Sequence, residues 1–132
     1  AKSWSEDEWF AQTQNIVIQL AEELLERPES VFFVIQDRWM AHFQDREQMK
    51  IGLHLLMIWF RDVLLLHVGQ KEKIVFLDEQ DQLERFRARY TIKLLNKQLE
   101  TMVKALKRLD ANVNPQLVIE QALLKEVVET DR

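Results

Sequence analysis

The chain has 132 residues with only two glycines and two prolines, so its length predicts one domain over residues 1–132 and its composition an all-α fold with few hairpins. It has no cysteine, which excludes disulfides, thiolate catalysis and cysteine-based zinc sites. Its formal net charge of −4 disfavours DNA or an anionic membrane as the principal ligand, because both would repel it.

Two predicted helices, separated by a proline, open the chain. Ser5 and Glu8 have the spacing of a capping box, and apolar residues at helical spacing then continue to about Arg27. Ser30 is expected to cap the second helix, which continues to Phe43 and is apolar on more than one face. Such a helix must be covered on two sides, either by its own domain or by a partner.

The third predicted helix is expected to be the central one. Asp45 offers an N-cap, apolar residues continue to Val68, and Gly69 then supplies a stop. Charged residues interrupt the apolar run, so we interpret it as a buried helix and not as a membrane span. Its narrow polar stripe, which we expect to reach solvent or an interface, consists of Glu47, Lys50, His54 and Arg61.

The following segment predicts a loop and two more helices. Residues 71–77 are expected to form a loop anchored in the core. Asp78 is expected to cap a short fourth helix that continues to Tyr90. Thr91 is expected to cap a fifth helix, ending near Ala111, whose leucines recur at steps of four and three.

A corner joins this fifth helix to a sixth. Asn112 can adopt the left-handed conformation that closes a helix, Asn114 can cap the next one, and Pro115 suits its first position. We expect this corner to be structural, aiming the last helix. The pattern as a whole predicts a compact bundle of five to six helices.

The sequence contains no recognisable catalytic constellation. The histidines His42, His54 and His67 lack metal-binding spacing, and the two glycines do not form a phosphate-binding loop. No catalytic residue, cofactor site or metal site is therefore predicted, and we expect this chain not to be an enzyme. His42 and His67 lie near predicted helix C-termini, where the helix dipole favours an imidazolium.

Two groups of charged residues are candidates for contacts. Arg61 and Asp62 are adjacent on the central helix and cannot face each other, so each is expected to pair with a different helix or with a neighbouring subunit; we favour the internal alternative. A locally basic stretch includes Arg85, Arg89, Lys93, Lys97, Lys104 and Arg108. Its last four residues share one face of the fifth helix, which fits an acidic partner, nucleic acid or, most commonly, solvent.

Three segments in a specific order resemble one family: residues 32–40 (FFVIQDRWM), 59–66 (WFRDVLLL) and 112–117 (NVNPQL). They are similar to the C-terminal domain of bacterial clamp-loader delta-prime subunits, of the Gram-positive, Bacillus type. The resemblance extends from about Trp9 to Leu124. Clamp-loader gamma/tau subunits share the architecture and are the alternative.

The resemblance implies a non-catalytic collar domain of the DNA polymerase III clamp loader, in which five C-terminal domains form a ring. It implies the gamma/tau and delta subunits as partners through their C-terminal domains, at most an indirect contact with DNA, and no membrane. The family's N-terminal AAA+ part is absent from this chain, which is expected to be cytoplasmic and monomeric alone. The candidate subunit contacts are Phe33, Arg61, Asp62 and the six basic residues named above.

Overall fold

The computed structural model describes the backbone of residues 5–130 and the side chains of residues 5–124. In that part of the chain no strand occurs, and the secondary structure is helical. Short 3-10 turns cover Pro28–Ser30, Lys71–Lys73 and Leu77–Glu79. The helices are α1 (Glu6–Glu26), α2 (31–42), α3 (Arg46–His67), α4 (Gln80–Arg89), α5 (Ile92–Asp110) and α6 (Pro115–Thr130). The predicted all-α bundle of five to six helices is confirmed.

Side-chain caps begin four of these helices as predicted. In each, an oxygen accepts the backbone N–H three residues later: Ser5 from Glu8, Asp45 from Gln48, Thr91 from Leu94, and Asn114 from Leu117. The predicted caps at Ser30 and Asp78 are wrong, because neither side chain caps a helix. Each residue lies within a 3-10 turn that leads directly into the helix. The N–H groups that a capping side chain would bind therefore belong to residues nearer the start of the turn.

Helix α3 is the central helix, as predicted, and packs against α1, α4 and α5. Trp59 and Phe60 are fully buried on it. Both rings meet Phe86 of α4 edge-on, with centroid distances of 5.8 Å and 6.0 Å, in the geometry that aromatic pairs prefer. No helix among the described residues is long and apolar enough to cross a membrane.

Helix α2 contains a π-helical turn, Ile35–Trp39, between two short α-helical pieces. The rings of Trp39 and of Phe43, which follows the helix, are buried and pack against each other at a tilt of 59°, with a centroid distance of 4.5 Å. A Cβ atom at Gly52 of α3 would lie 2.6 Å from Trp39 Cη2 and 2.5 Å from Phe43 Cζ. Gly52 is therefore what allows these two rings to pack directly on the backbone of α3.

The loop after α3 is anchored in the core, as predicted, through the buried residues Ile74 and Phe76. Asp62, fully buried on α3, holds this loop: its Oδ2 accepts the backbone N–H groups of Val75 and Phe76, both at 2.9 Å. Burial raises the pKa of Asp62, while the two N–H groups oppose that rise. The expected helix partner for Asp62 is therefore wrong, since its Oδ2 binds the loop backbone instead, while its buried Oδ1 has no hydrogen-bond partner among the described residues. Arg61 points to solvent.

The environment of His42 also differs from the expectation. Its ring stacks on Trp9 with a centroid distance of 4.8 Å, and its Nε2 lies 2.7 Å from Thr13 Oγ1. The Thr13 hydroxyl donates to the Trp9 carbonyl, so Nε2–H of His42 donates to the Thr13 oxygen. Burial, followed by the nearby Arg38, lowers the pKa of His42. Burial thus opposes the charged form that the dipole of this helix end would favour.

Replacing Gly52 by alanine should destabilise the protein. The new methyl would overlap two buried rings, which we expect to outweigh alanine's better helix propensity and to lower the free energy of unfolding by about 1 to 2 kcal/mol. Urea unfolding followed by circular dichroism measures this. In a Phe43→Leu background, where one of the two rings is gone and Trp39 remains, the same substitution should cost less; an unchanged cost would show that the contact with Phe43 does not contribute.

Asp62→Ala should remove about 2 to 4 kcal/mol from the free energy of unfolding, because two loop N–H groups lose their acceptor. Asp62→Asn keeps an acceptor oxygen and should stay within about 1 kcal/mol. The pKa of Asp62 is raised in the folded chain relative to the unfolded one. Protonation of Asp62 therefore stabilises the folded chain at pH values below the unfolded pKa, and this stabilisation is lost as the pH rises through the folded pKa. The free energy of unfolding of Asp62→Asn should therefore increase relative to that of the unmodified chain as the pH rises. Urea unfolding at several pH values measures the difference.

Candidate subunit interface

The corner between α5 and α6 has the predicted conformation. Asn112 has a φ of 66°, in the left-handed region that closes a helix. The side-chain oxygen of Asn114 accepts the N–H of Leu117 at 3.1 Å, and Pro115 is the first residue of α6. The three corner residues thus end one helix and begin the next.

Arg46, the first residue of α3, holds this corner from outside. Its guanidinium donates to the carbonyls of Leu109 and Val113, both at 2.9 Å, and to the side-chain oxygen of Asn112 at 3.2 Å. One helical turn later, Lys50 forms an ion pair with Asp110. Sequence reasoning missed Arg46, because an arginine beside an N-cap has no local feature that distinguishes it from a solvated one.

A groove with a volume of about 570 Å³ lies where the start of α2 meets α5 and α6. Ala105, Val118 and Ala122 are buried residues in its lining. Beneath it, the buried side chain of Gln98 donates from Nε2 to the Ala122 carbonyl at 2.8 Å, which ties α6 to α5. The groove therefore has a fixed apolar floor between two packed helices.

Exposed apolar side chains border this groove. Phe32 of α2 and Leu117 of α6 line it while remaining 50% and 44% exposed; Phe33, the next residue after Phe32, is 67% exposed but does not line the groove. This is the surplus apolar surface expected of the second helix. Phe33 was a predicted contact residue; Phe32 and Leu117 were not singled out, because helical spacing alone cannot show which apolar residues stay outside the core.

The structure separates the predicted basic residues into two groups. Arg85 forms an ion pair with Glu26, and Arg89 donates to the Leu25 carbonyl at 2.9 Å, so both bind the C-terminal end of α1. The other group is exposed along one face of α5 and consists of Lys93, Lys97, Lys104 and Arg108. Lys104 and Arg108 also line the groove, whereas Arg61 does not, and Asp62 is buried elsewhere.

A family model described as "DNA polymerase III, delta subunit, C terminal" matches residues 39–126. The chain belongs to this family. It is also 32% identical over 120 residues to "DNA polymerase III subunit delta'" of Bacillus subtilis (strain 168), an alignment that covers 91% of this chain and 36% of that protein. The chain thus spans about a third of that relative's length. No solved structure matches it significantly. The predicted resemblance to the delta-prime C-terminal domain is confirmed.

Arg46→Ala should loosen the corner that positions α6. Two backbone carbonyls and one side-chain oxygen lose a charged donor, so we expect the free energy of unfolding to fall by about 1 to 3 kcal/mol. Chemical unfolding measures the change. Arg61→Ala, an exposed arginine on the same helix, is the matched control and should change stability by less than about 0.5 kcal/mol. Equal effects of the two substitutions would contradict the role of Arg46.

Proposed function

We propose that this chain is a non-catalytic assembly domain of the DNA polymerase III clamp loader, joining a helical collar that holds the subunits together during DNA replication. The observation that carries the proposal is the family match over residues 39–126, together with the similarity to a delta-prime subunit over most of the chain. A delta-prime role is preferred to gamma/tau because that relative is a delta-prime subunit.

The surface of the domain supports an assembly role. Phe32 and Leu117 leave apolar area exposed around one groove, Phe33 adds exposed apolar area on α2, and clustered apolar surface is typical of sites that a partner covers. Among the described residues, no group of histidine, aspartate or glutamate side chains is arranged to hold a metal ion. We propose that the chain contributes binding energy and geometry to its complex, and that ATP hydrolysis takes place in other parts of it.

The proposed partners are the gamma/tau and delta subunits, bound through their C-terminal domains in the cytoplasm. Because the collar of the family is built from different chains, the isolated domain is expected to be monomeric. Any contact with DNA would be indirect.

Mixing this chain with the full-length gamma/tau and delta subunits of the same organism tests the proposal. We expect a stable complex at micromolar concentration by size-exclusion chromatography with light scattering, and a monomer when the chain is alone. An unrelated all-α protein of similar size and charge is the control. Failure to bind either subunit, alone or with both present, would refute the assembly role.

A further inference from the structure

We propose that the groove between α2, α5 and α6 receives an amphipathic helix of a neighbouring clamp-loader subunit, which places apolar side chains on the groove floor and carboxylates opposite Lys104 and Arg108. This inference rests on the proposed function and specifies the contact surface and the chemistry of the partner.

The apolar part of the groove fits the centre of a protein interface. Phe32 and Leu117 stand at its border half-exposed, above a floor that includes the buried residues Ala105, Val118 and Ala122. Aromatic and aliphatic anchors that stay exposed next to a preformed apolar floor gain most from being covered by apolar side chains. Nucleic acid, whose surface is charged and polar at the backbone, would leave this floor unused.

The charged part of the groove fits an acidic partner. No carboxylate among the described residues lies within ion-pair distance of Lys104, and the bond of Arg108 goes to the neutral side chain of Gln121. The acidic residue in the lining, Glu120, accepts a bond from Gln116 Nε2 at 3.0 Å. The groove therefore carries excess positive charge on a chain whose net charge is −4, which favours carboxylates opposite Lys104 and Arg108.

The secondary structure around the groove fits a helix as the occupant. Its walls are helices, whose backbone N–H and C=O groups are already paired within each helix, and no sheet edge is present in the described part of the chain. A partner strand would find no ladder to extend. Recognition must instead use side chains, as in grooves that accept the apolar stripe of an amphipathic helix.

Charge reversal tests the polar half of the proposal. Lys104→Glu/Arg108→Glu should weaken binding to full-length gamma/tau or delta, measured by isothermal titration calorimetry, by about tenfold or more. The matched control, Lys93→Glu/Lys107→Glu, makes the same change in net charge on the same helix outside the groove and should stay within about threefold. Circular dichroism and thermal unfolding show which variants are folded. If Lys104→Glu/Arg108→Glu does not fold, Lys104→Gln/Arg108→Gln takes its place in the test.

The apolar half has its own matched pair. Leu117→Gln, inside the groove, should weaken the same binding by about tenfold, as loss of an interface anchor does. Val103→Gln changes a residue on α5 that is 42% exposed, close to the 44% of Leu117, but lies outside the groove, and it should have little effect. A difference between these two variants separates docking in the groove from a general loss of surface hydrophobicity.

The outcomes distinguish this proposal from the one on which it rests. If the unmodified chain binds neither subunit, the assembly role itself fails. If it binds them and the groove variants bind equally well, only the groove proposal is overturned. Two further results would also overturn it: a groove-dependent dimer of this chain in sedimentation experiments, or salt-sensitive DNA binding that the groove variants lose while subunit binding persists.

Discussion

The guanidinium of Arg46 is the contact on which the position of the corner between α5 and α6 depends. It joins the first residue of α3 to two carbonyls and a side chain at the end of α5, more than sixty residues later in the chain. Gly52, less than two turns along the same helix, lets the rings of α2 pack on its backbone. The beginning of α3 thus positions α2 on one side and the corner before α6 on another, and these helices border the groove.

The groove is bordered by helices that are joined to each other. It is not an internal void, because Gln98 ties α5 to α6 and the buried residues of its floor belong to the continuous core. It is not closed by the residues at its border either, since Phe32 and Leu117 remain half-exposed. An apolar surface that is already formed and uncovered in this way is suited to binding a preformed partner element, at a small cost in ordering.

Charge in this protein has two separate roles. Arg85 and Arg89 bind the C-terminal end of α1, where unpaired carbonyls and the helix dipole favour a cation. Lys104 and Arg108, from the same basic stretch of sequence, lie at the groove instead. Sequence could identify the stretch but not this division, because it depends on which helix end happens to lie opposite each side chain.

The sequence by itself determined the helices, four of their caps, the corner at Asn112 and Asn114, the central place of α3 and the family. These follow from local chemistry, since periodicity, capping oxygens and the conformational limits of Asn and Pro act within one or two turns. Only the tertiary structure decided the partners of Arg46 and Asp62, the packing of His42 against Trp9, the need for Gly52 and the location of the groove. Each of these depends on groups distant in the sequence that meet only when the helices pack, and no local pattern encodes which groups those will be.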